Sequence, residues 1–255
     1  PHAATLLAVE LLLFEFKPRS FFPVALASAI AMIMRHHLPG PGPLFSVPAH
    51  VAFAGPGPLA ICAGVGLVAG VVSALMTYSV YFFEDAFKKL PIHWMWWPAI
   101  GAVAVGVGGL ICPRALGVGY DVIGQTLAGT SPWPDVLLLV DVKWTIWAVS
   151  LCSGTSGGVL APLLKIGASV GALMGFWLPD EGHGFWALVA MGAILGGTMR
   201  SPLTGAVFAV ELTHDWGCIL PVLIAASTAH GFTVLVLKRS ILTEKVARRG
   251  FHVMR

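Results

Sequence analysis

Charged side chains are scarce in this sequence. They make up 11% of the 255 residues, and the mean hydropathy is +0.85, whereas an ordinary soluble domain carries about 25% charged residues. Several apolar stretches contain no Asp, Glu, Lys or Arg, and one of them covers residues 59–83. Stretches of roughly 17–25 apolar residues cross a bilayer as helices. The composition therefore excludes an ordinary soluble domain and predicts an all-α integral membrane protein embedded in the lipid bilayer.

Signatures of catalysis, metal binding and nucleotide binding are missing as well. The four cysteines, Cys62, Cys112, Cys152 and Cys218, show no Cys-x-x-Cys or metal-ligand spacing, so we expect small buried core residues. No His-Glu-x-x-His occurs, and no Gly-Lys-Ser/Thr follows a glycine run. We expect no enzyme, no metal site, no cofactor and no nucleic-acid partner. A membrane-embedded enzyme remains a distant alternative.

Glycine and proline are abundant, with 30 and 18 residues. Membrane proteins tolerate them where neighbouring segments pair the freed backbone groups, so broken or re-entrant helices are expected. The apolar pattern predicts nine or ten helical pieces, at about residues 4–16, 22–35, 59–87, 94–112, 137–150, 160–178, 185–199, 202–213 and 217–237.

The ends of the sequence differ in charge. Six Lys and Arg residues crowd the last 18 positions, which by the positive-inside rule predicts a cytoplasmic C-terminus in a plasma-membrane protein. The sequence opens on Pro1 without an initiator Met or a signal-peptide pattern, and we expect further sequence upstream.

One short pattern occurs twice. Residues 1–11 align without a gap with residues 202–212, and five of the eleven positions are identical, including the proline and the glutamates Glu10 and Glu211. Lys17 and Arg19 follow the first copy, whereas His214 and Asp215 follow the second. The positive-inside rule then gives the two copies opposite orientations, which predicts an inverted repeat of the kind that builds many transporters.

A Ser/Gly-rich break interrupts the apolar sequence at "SLCSGTSGGVLAP", residues 150–162. Pro162 suits the first turn of a helix, and Gly167, Gly171 and Gly175 recur at a spacing that allows close helix packing. The first amides of that helix would be unpaired and would carry the positive end of its dipole, which is an anion site without a full charge. The alternative is a tight turn where two helices cross.

Three segments together resemble the CLC family of chloride channels and chloride/proton exchangers: "SGTSGGVLAP", "MRSPLTGAVFAVELT" and "ELLLFEFKPRSFFPVALAS". The resemblance implies a fold with two inverted halves around an anion pathway and a homodimer with one pathway in each subunit. It implies that residues 1–255 form a single transmembrane domain that holds the end of the first repeat and the whole second repeat. The family's Gly-Ser-Gly-x-Pro and Gly-Arg-Glu-Gly-Pro loops would lie upstream of Pro1.

The resemblance also implies an anion site. Gly158 opens a sequence similar to the family's Gly-x-Phe-x-Pro motif, whose second and third backbone amides coordinate chloride, so Val159 and Leu160 take those places. Leu160 replaces the usual Phe. Leu242 stands where the family has a chloride-binding tyrosine, and it offers no hydroxyl. Leu11 stands where exchangers often carry a proton-relay glutamate, which favours a channel or an exchanger with a different proton route. A chloride/proton antiporter therefore stays the alternative.

Several further ionisable residues lie in apolar sequence, and some of them have two interpretations. Glu10 and Glu211 either brace backbone amides in both repeats or handle protons. Lys165 either adds positive potential to the anion helix or extends its charge to the membrane surface. Asp141 and Lys143 are expected to mark the end of a span.

Overall fold

The fold was examined in a computed structural model, which describes residues 2–13, 17–37, 42–45, 47, 48, 50, 55–155, 157–237 and 241. The described part is helical and contains no strand. Its α-helices, numbered α1 to α10 in chain order, are His2–Leu7, Pro18–His37, Pro56–Lys88, Trp97–Ile111, Tyr120–Leu127, Trp133–Cys152, Leu160–Gly175, Phe185–Met199, Pro202–Thr213 and Ile219–Val236. The predicted all-α fold is confirmed.

Three helices are long and apolar enough to cross a membrane, and among the described residues they are Pro56–Lys88, Trp94–Ile111 and Trp216–Val236. The first of these, α3, has 33 residues and is about 50 Å long at 1.5 Å per residue, well over the roughly 30 Å of a hydrocarbon core. By contrast α7, α8 and α9 have 16, 15 and 12 residues, too few to cross alone. The expected broken helices are therefore present.

Helix α8 forms the centre of the described structure. All 15 of its residues are buried, and α3, α7, α9 and α10 pack around it. Its sequence is apolar on every side, which is what a helix surrounded by other helices requires. The chain then turns sharply at Arg200, whose φ of 60° is left-handed, and α9 starts at Pro202. The predicted bounds 185–199 and 202–213 are confirmed.

Other predicted bounds needed correction. The first segment is an α-helix only over His2–Leu7 and continues as a π-helix, Ala8–Leu13. The connection after α4 contains α5, Tyr120–Leu127, which the sequence pattern did not predict. Asp141 and Lys143 lie inside α6, Trp133–Cys152, so they do not mark the end of a span. All four cysteines are buried as expected.

Candidate functional site: the start of helix α7

Helix α6 ends in a hydrogen-bonded turn made by the Ser/Gly-rich break. The hydroxyls of Ser153 and Thr155 each donate to the carbonyl of Ser150 at 2.8 Å, and the amide of Ser153 donates to the carbonyl of Val149 at 3.0 Å. Gly154 has a φ of +83°, a conformation that glycine adopts without strain. These bonds pair carbonyl groups at the end of α6 and let the chain turn toward α7.

Helix α7 begins immediately after the break without a cap. Val159 occupies the cap position with φ −95° and ψ −34°, and no side chain accepts a hydrogen bond from the first turn. Among the described residues, no acceptor lies against the amides of Val159 and Leu160. Gly158 is exposed, whereas Val159 and Leu160 are half-buried. The free amides and the helix dipole give this end a partial positive charge.

The glycines of α7 allow this helix to lie against α8, as the sequence spacing predicted. A Cβ atom on Gly167 would lie 2.9 Å from the Cα atom of Met191, and one on Gly171 would lie 2.7 Å from that of Ala187. At Gly175 the nearest atom, on Trp186, is 3.5 Å away, an ordinary contact. The tight contact at Gly167 and Gly171 fixes α7, and therefore its first turn, against the buried centre of the fold.

Two lysines are buried near this end of α7. Lys165 is only 1% exposed, and its Nζ donates to the carbonyl of Arg114 at 2.5 Å. Lys143 is 7% exposed, and its Nζ donates to the carbonyls of Ala115 and Gly117 at 2.9 and 2.8 Å. In the described part of the chain neither ammonium pairs with a carboxylate. Lys165 thus stays buried instead of reaching the membrane surface.

A cavity of about 180 Å³ lies between Lys143 and the loop that leads into α7. Gly157 and Gly158 form part of its wall, Lys143 and Ser150 form another part, and α4 contributes Val105. Lys143 therefore places a full positive charge on a space bounded by the loop that leads into α7. This role could not be predicted from the sequence, because the carbonyls that hold the ammonium of Lys143 come from a turn 26 and 28 residues earlier.

The two repeated glutamates make reciprocal contacts. Glu211, in α9, accepts a hydrogen bond from the amide of Ala3 in α1 at 2.6 Å. Glu10, in the π-helix after α1, accepts one from the hydroxyl of Thr204 in the first turn of α9. Ala3 and Thr204 occupy the same position in the aligned repeats. Each glutamate therefore binds the start of the other copy, as expected if they brace backbone or side-chain donors.

Two predicted positions cannot be placed. Leu242 lies outside the described residues, and the side chain of Leu11 lies outside them too. Of the residues predicted to form an anion site, the structure describes Gly158, Val159 and Leu160, which lie together at the start of α7.

Residues 1–234 match the profile of the voltage gated chloride channel family. The chain belongs to that family, here called the CLC family. The family match covers the start of α7 and both glutamates.

Characterised relatives include bacterial CLC proteins of two kinds. The chain is 30% identical over 261 residues to the voltage-gated ClC-type chloride channel ClcB of Citrobacter koseri, with 98% of this chain and 60% of the relative covered. It is 30% identical over 184 residues to the H(+)/Cl(-) exchange transporter ClcA of Cronobacter sakazakii, with coverage of 67% and 38%. This chain thus spans about 60% of the length of ClcB.

Solved CLC structures share the fold. A slow cyanobacterial Cl-/H+ antiporter superposes with a TM-score of 0.85 at 20% identity, covering 98% of this chain and 60% of that one. A CLC-type fluoride/proton antiporter gives a TM-score of 0.75 at 22% identity, covering 91% and 58%. At this level of identity the match establishes the architecture, and it confirms the CLC-like membrane fold.

Proposed function

We propose that this chain belongs to a membrane protein that transports chloride or a similar small anion, as a channel of the voltage-gated CLC type. The observation that carries the proposal is the uncapped start of α7, where the amides of Val159 and Leu160 have no acceptor among the described residues. Backbone dipoles can replace part of an anion's hydration shell without the strong attraction of a full charge. An anion bound in this way can also leave, which transport requires.

The buried ammonium of Lys143 also supports anion transport. Lys143 is buried, lacks a carboxylate partner among the described residues, and borders the cavity that Gly157 and Gly158 also line. A charge buried in a membrane protein is costly and commonly marks an ion path. We place Lys143 outside the first coordination shell, where it raises the local anion concentration while the amides make direct contact. Leu242, which the resemblance assigned to the site, has no hydroxyl to offer to an anion.

A chloride/proton antiporter is the second candidate. One of the similar relatives is named as an H(+)/Cl(-) exchange transporter, and Glu10 and Glu211 are carboxylates in apolar sequence. The contacts of these glutamates favour the channel, because each binds a donor at the start of the other repeat copy. Leu11, at the position of the family's relay glutamate, cannot carry a proton.

We also propose the domain extent, the oligomeric state and the membrane orientation of the protein. Residues 1–255 form one transmembrane domain that comprises the end of the first repeat and the second repeat. The protein works in the plasma membrane as a homodimer with its C-terminus in the cytoplasm, consistent with the basic residues after position 237.

The test uses the full-length gene product. Purified protein is reconstituted into liposomes loaded with chloride, and chloride efflux is recorded together with external pH. Efflux without proton movement is expected for the channel. Efflux with a fixed ratio of protons to chloride would establish the antiporter instead, and no efflux of chloride, bromide, nitrate or fluoride would refute both.

A further inference from the structure

A second polar cluster lies away from α7, at the junction between α9 and α10. It consists of His50, Asp215 and Cys218. One ligand atom from each side chain lies within 4.8 Å of the other two. The side chains of His50 and Asp215 are 7% and 2% exposed, and Cys218 is 1% exposed. A nitrogen, an oxygen and a sulfur donor thus meet in a buried position.

The local structure explains why these donors converge. Trp216–Cys218 form one turn of 3-10 helix after Asp215, and three residues per turn place Asp215 and Cys218 on the same side. His50 comes from the segment before α3. It packs against the 3-10 turn at Gly217, which has no side chain to block the approach. A side chain at that glycine would collide with the carbonyl of His50. The aromatic ring of Phe185 covers the imidazole at 5.4 Å between ring centres.

Asp215 Oδ2 contacts both partners. It lies 2.6 Å from Nδ1 of His50 and accepts a hydrogen bond from Sγ of Cys218 at 3.1 Å. Its Oδ1 accepts from the amide of His50 at 3.3 Å. The hydrogen bond to Oδ1 therefore fixes the orientation of the Asp215 carboxylate, as hydrogen bonds to metal-binding carboxylates do in known sites.

We propose that His50 Nδ1, Asp215 Oδ2 and Cys218 Sγ form a binding site for a zinc-like divalent transition-metal ion. A mixed nitrogen, oxygen and sulfur donor set suits Zn²⁺, whereas Ca²⁺ and Mg²⁺ take oxygen ligands. One carboxylate and one thiolate balance the charge of a divalent ion, so the occupied site is neutral in its buried surroundings. Three protein ligands leave the fourth tetrahedral position for water.

The two distances from Asp215 Oδ2 to its partners require only a small expansion to accommodate the ion. Ligand atoms around tetrahedral zinc are about 3.4 Å apart for metal–ligand bonds of about 2.1 Å, compared with 2.6 and 3.1 Å here. Nδ1 of His50 must present a lone pair to the ion, so its proton moves to Nε2 and the imidazole is neutral. The ion then replaces the two hydrogen bonds that converge on Asp215 Oδ2, and the thiol proton of Cys218 is released to solvent. Binding would join the segment before α3 to the α9–α10 junction.

The test measures metal binding directly, so it does not depend on anion transport. Purified protein in detergent is stripped with a chelator, dialysed and titrated with Zn²⁺ and, separately, with Co²⁺. We expect one ion per chain and a thiolate-to-Co²⁺ charge-transfer absorption in the near ultraviolet. Absence of that absorption in the wild-type protein would overturn the proposal without reference to any variant.

Variants then assign the ligands. Cys218→Ser and His50→Gln are each expected to weaken Zn²⁺ binding by about tenfold or more, since even outer contacts to metal ligands are worth 10–100-fold. Cys112→Ser is the matched control, because this buried cysteine packs in a separate cluster around Ala115, and it should bind like the wild type. A Co²⁺ thiolate absorption that survives in Cys218→Ser, or is lost in Cys112→Ser, would contradict the assignment.

Discussion

Replacing Val159 with proline tests the proposed anion site at a single atom. The substitution removes one amide hydrogen at the start of α7 and leaves the charge of the protein unchanged. Val159 sits at the cap position with a φ of −95°, about 30° from the value that proline prefers. The preceding Gly158 has no Cβ atom, which reduces the clash that restricts residues before proline. The fold should therefore tolerate the change.

The expected loss of chloride affinity follows from the free energy of one hydrogen bond to a charged group. Such a bond contributes about 1.5–3 kcal/mol, and each 1.4 kcal/mol corresponds to a factor of ten in affinity. Val159→Pro should thus weaken chloride binding about 10- to 100-fold. Val159→Ala keeps the amide and removes most of the side chain, so its affinity should stay within about threefold of the wild type.

Isothermal titration of the purified protein with chloride measures both variants, and thermal unfolding in detergent checks that each is folded. Flux in liposomes gives a second measure. If folded Val159→Pro binds chloride as tightly as Val159→Ala, the amide of Val159 does not contact the anion, and the reasoning from the uncapped helix end is refuted.

Three further changes test the packing and the glutamate contacts. Gly171→Ala should lower the free energy of unfolding by about 1–2 kcal/mol, because its Cβ atom would lie 2.7 Å from the Cα atom of Ala187. Gly106→Ala, whose Cβ atom meets open space in α4, should not lower the free energy of unfolding. Equal melting temperatures for the two variants would contradict the close helix contact. Thr204→Val should cost about 1–3 kcal/mol in chemical denaturation because it leaves Glu10 without its hydroxyl donor, whereas Thr204→Ser should stay near the wild type. Glu10→Gln should leave anion flux in liposomes within about threefold of the wild type if the glutamate braces the repeat, and selective loss of proton movement would instead assign it to proton transfer.

The sequence predicted those elements whose determinants are local. The bounds of α8 and α9 follow from an apolar run that ends at Met199 and from Pro202 at the next helix start. The start of α7 was likewise readable from the Ser/Gly-rich run and Pro162. Local signals sufficed because helix ends depend on the residues within one turn.

Features that depend on distant partners could not be read in the same way. The sequence predicted that Lys143 marks the end of a span. The carbonyls that hold its ammonium come from another connection, so the neighbouring residues did not indicate a buried position. Asp215 and Cys218 are three residues apart, but His50 is 165 residues from Asp215, so no ligand spacing was visible. Periodicity and composition carry no information about which separate segments meet.

The reciprocal glutamate contacts also bear on the order in which the molecule can assemble. Ala3 and Glu211 are 208 positions apart, so a ribosome delivers α1 to the membrane long before its carboxylate partner exists. Contacts of such large sequence separation slow folding. The hydrogen bond between α1 and α9 can form only after α9 has been synthesised, so the pairing of the two copies of the repeated pattern is a late step in the assembly of the protein.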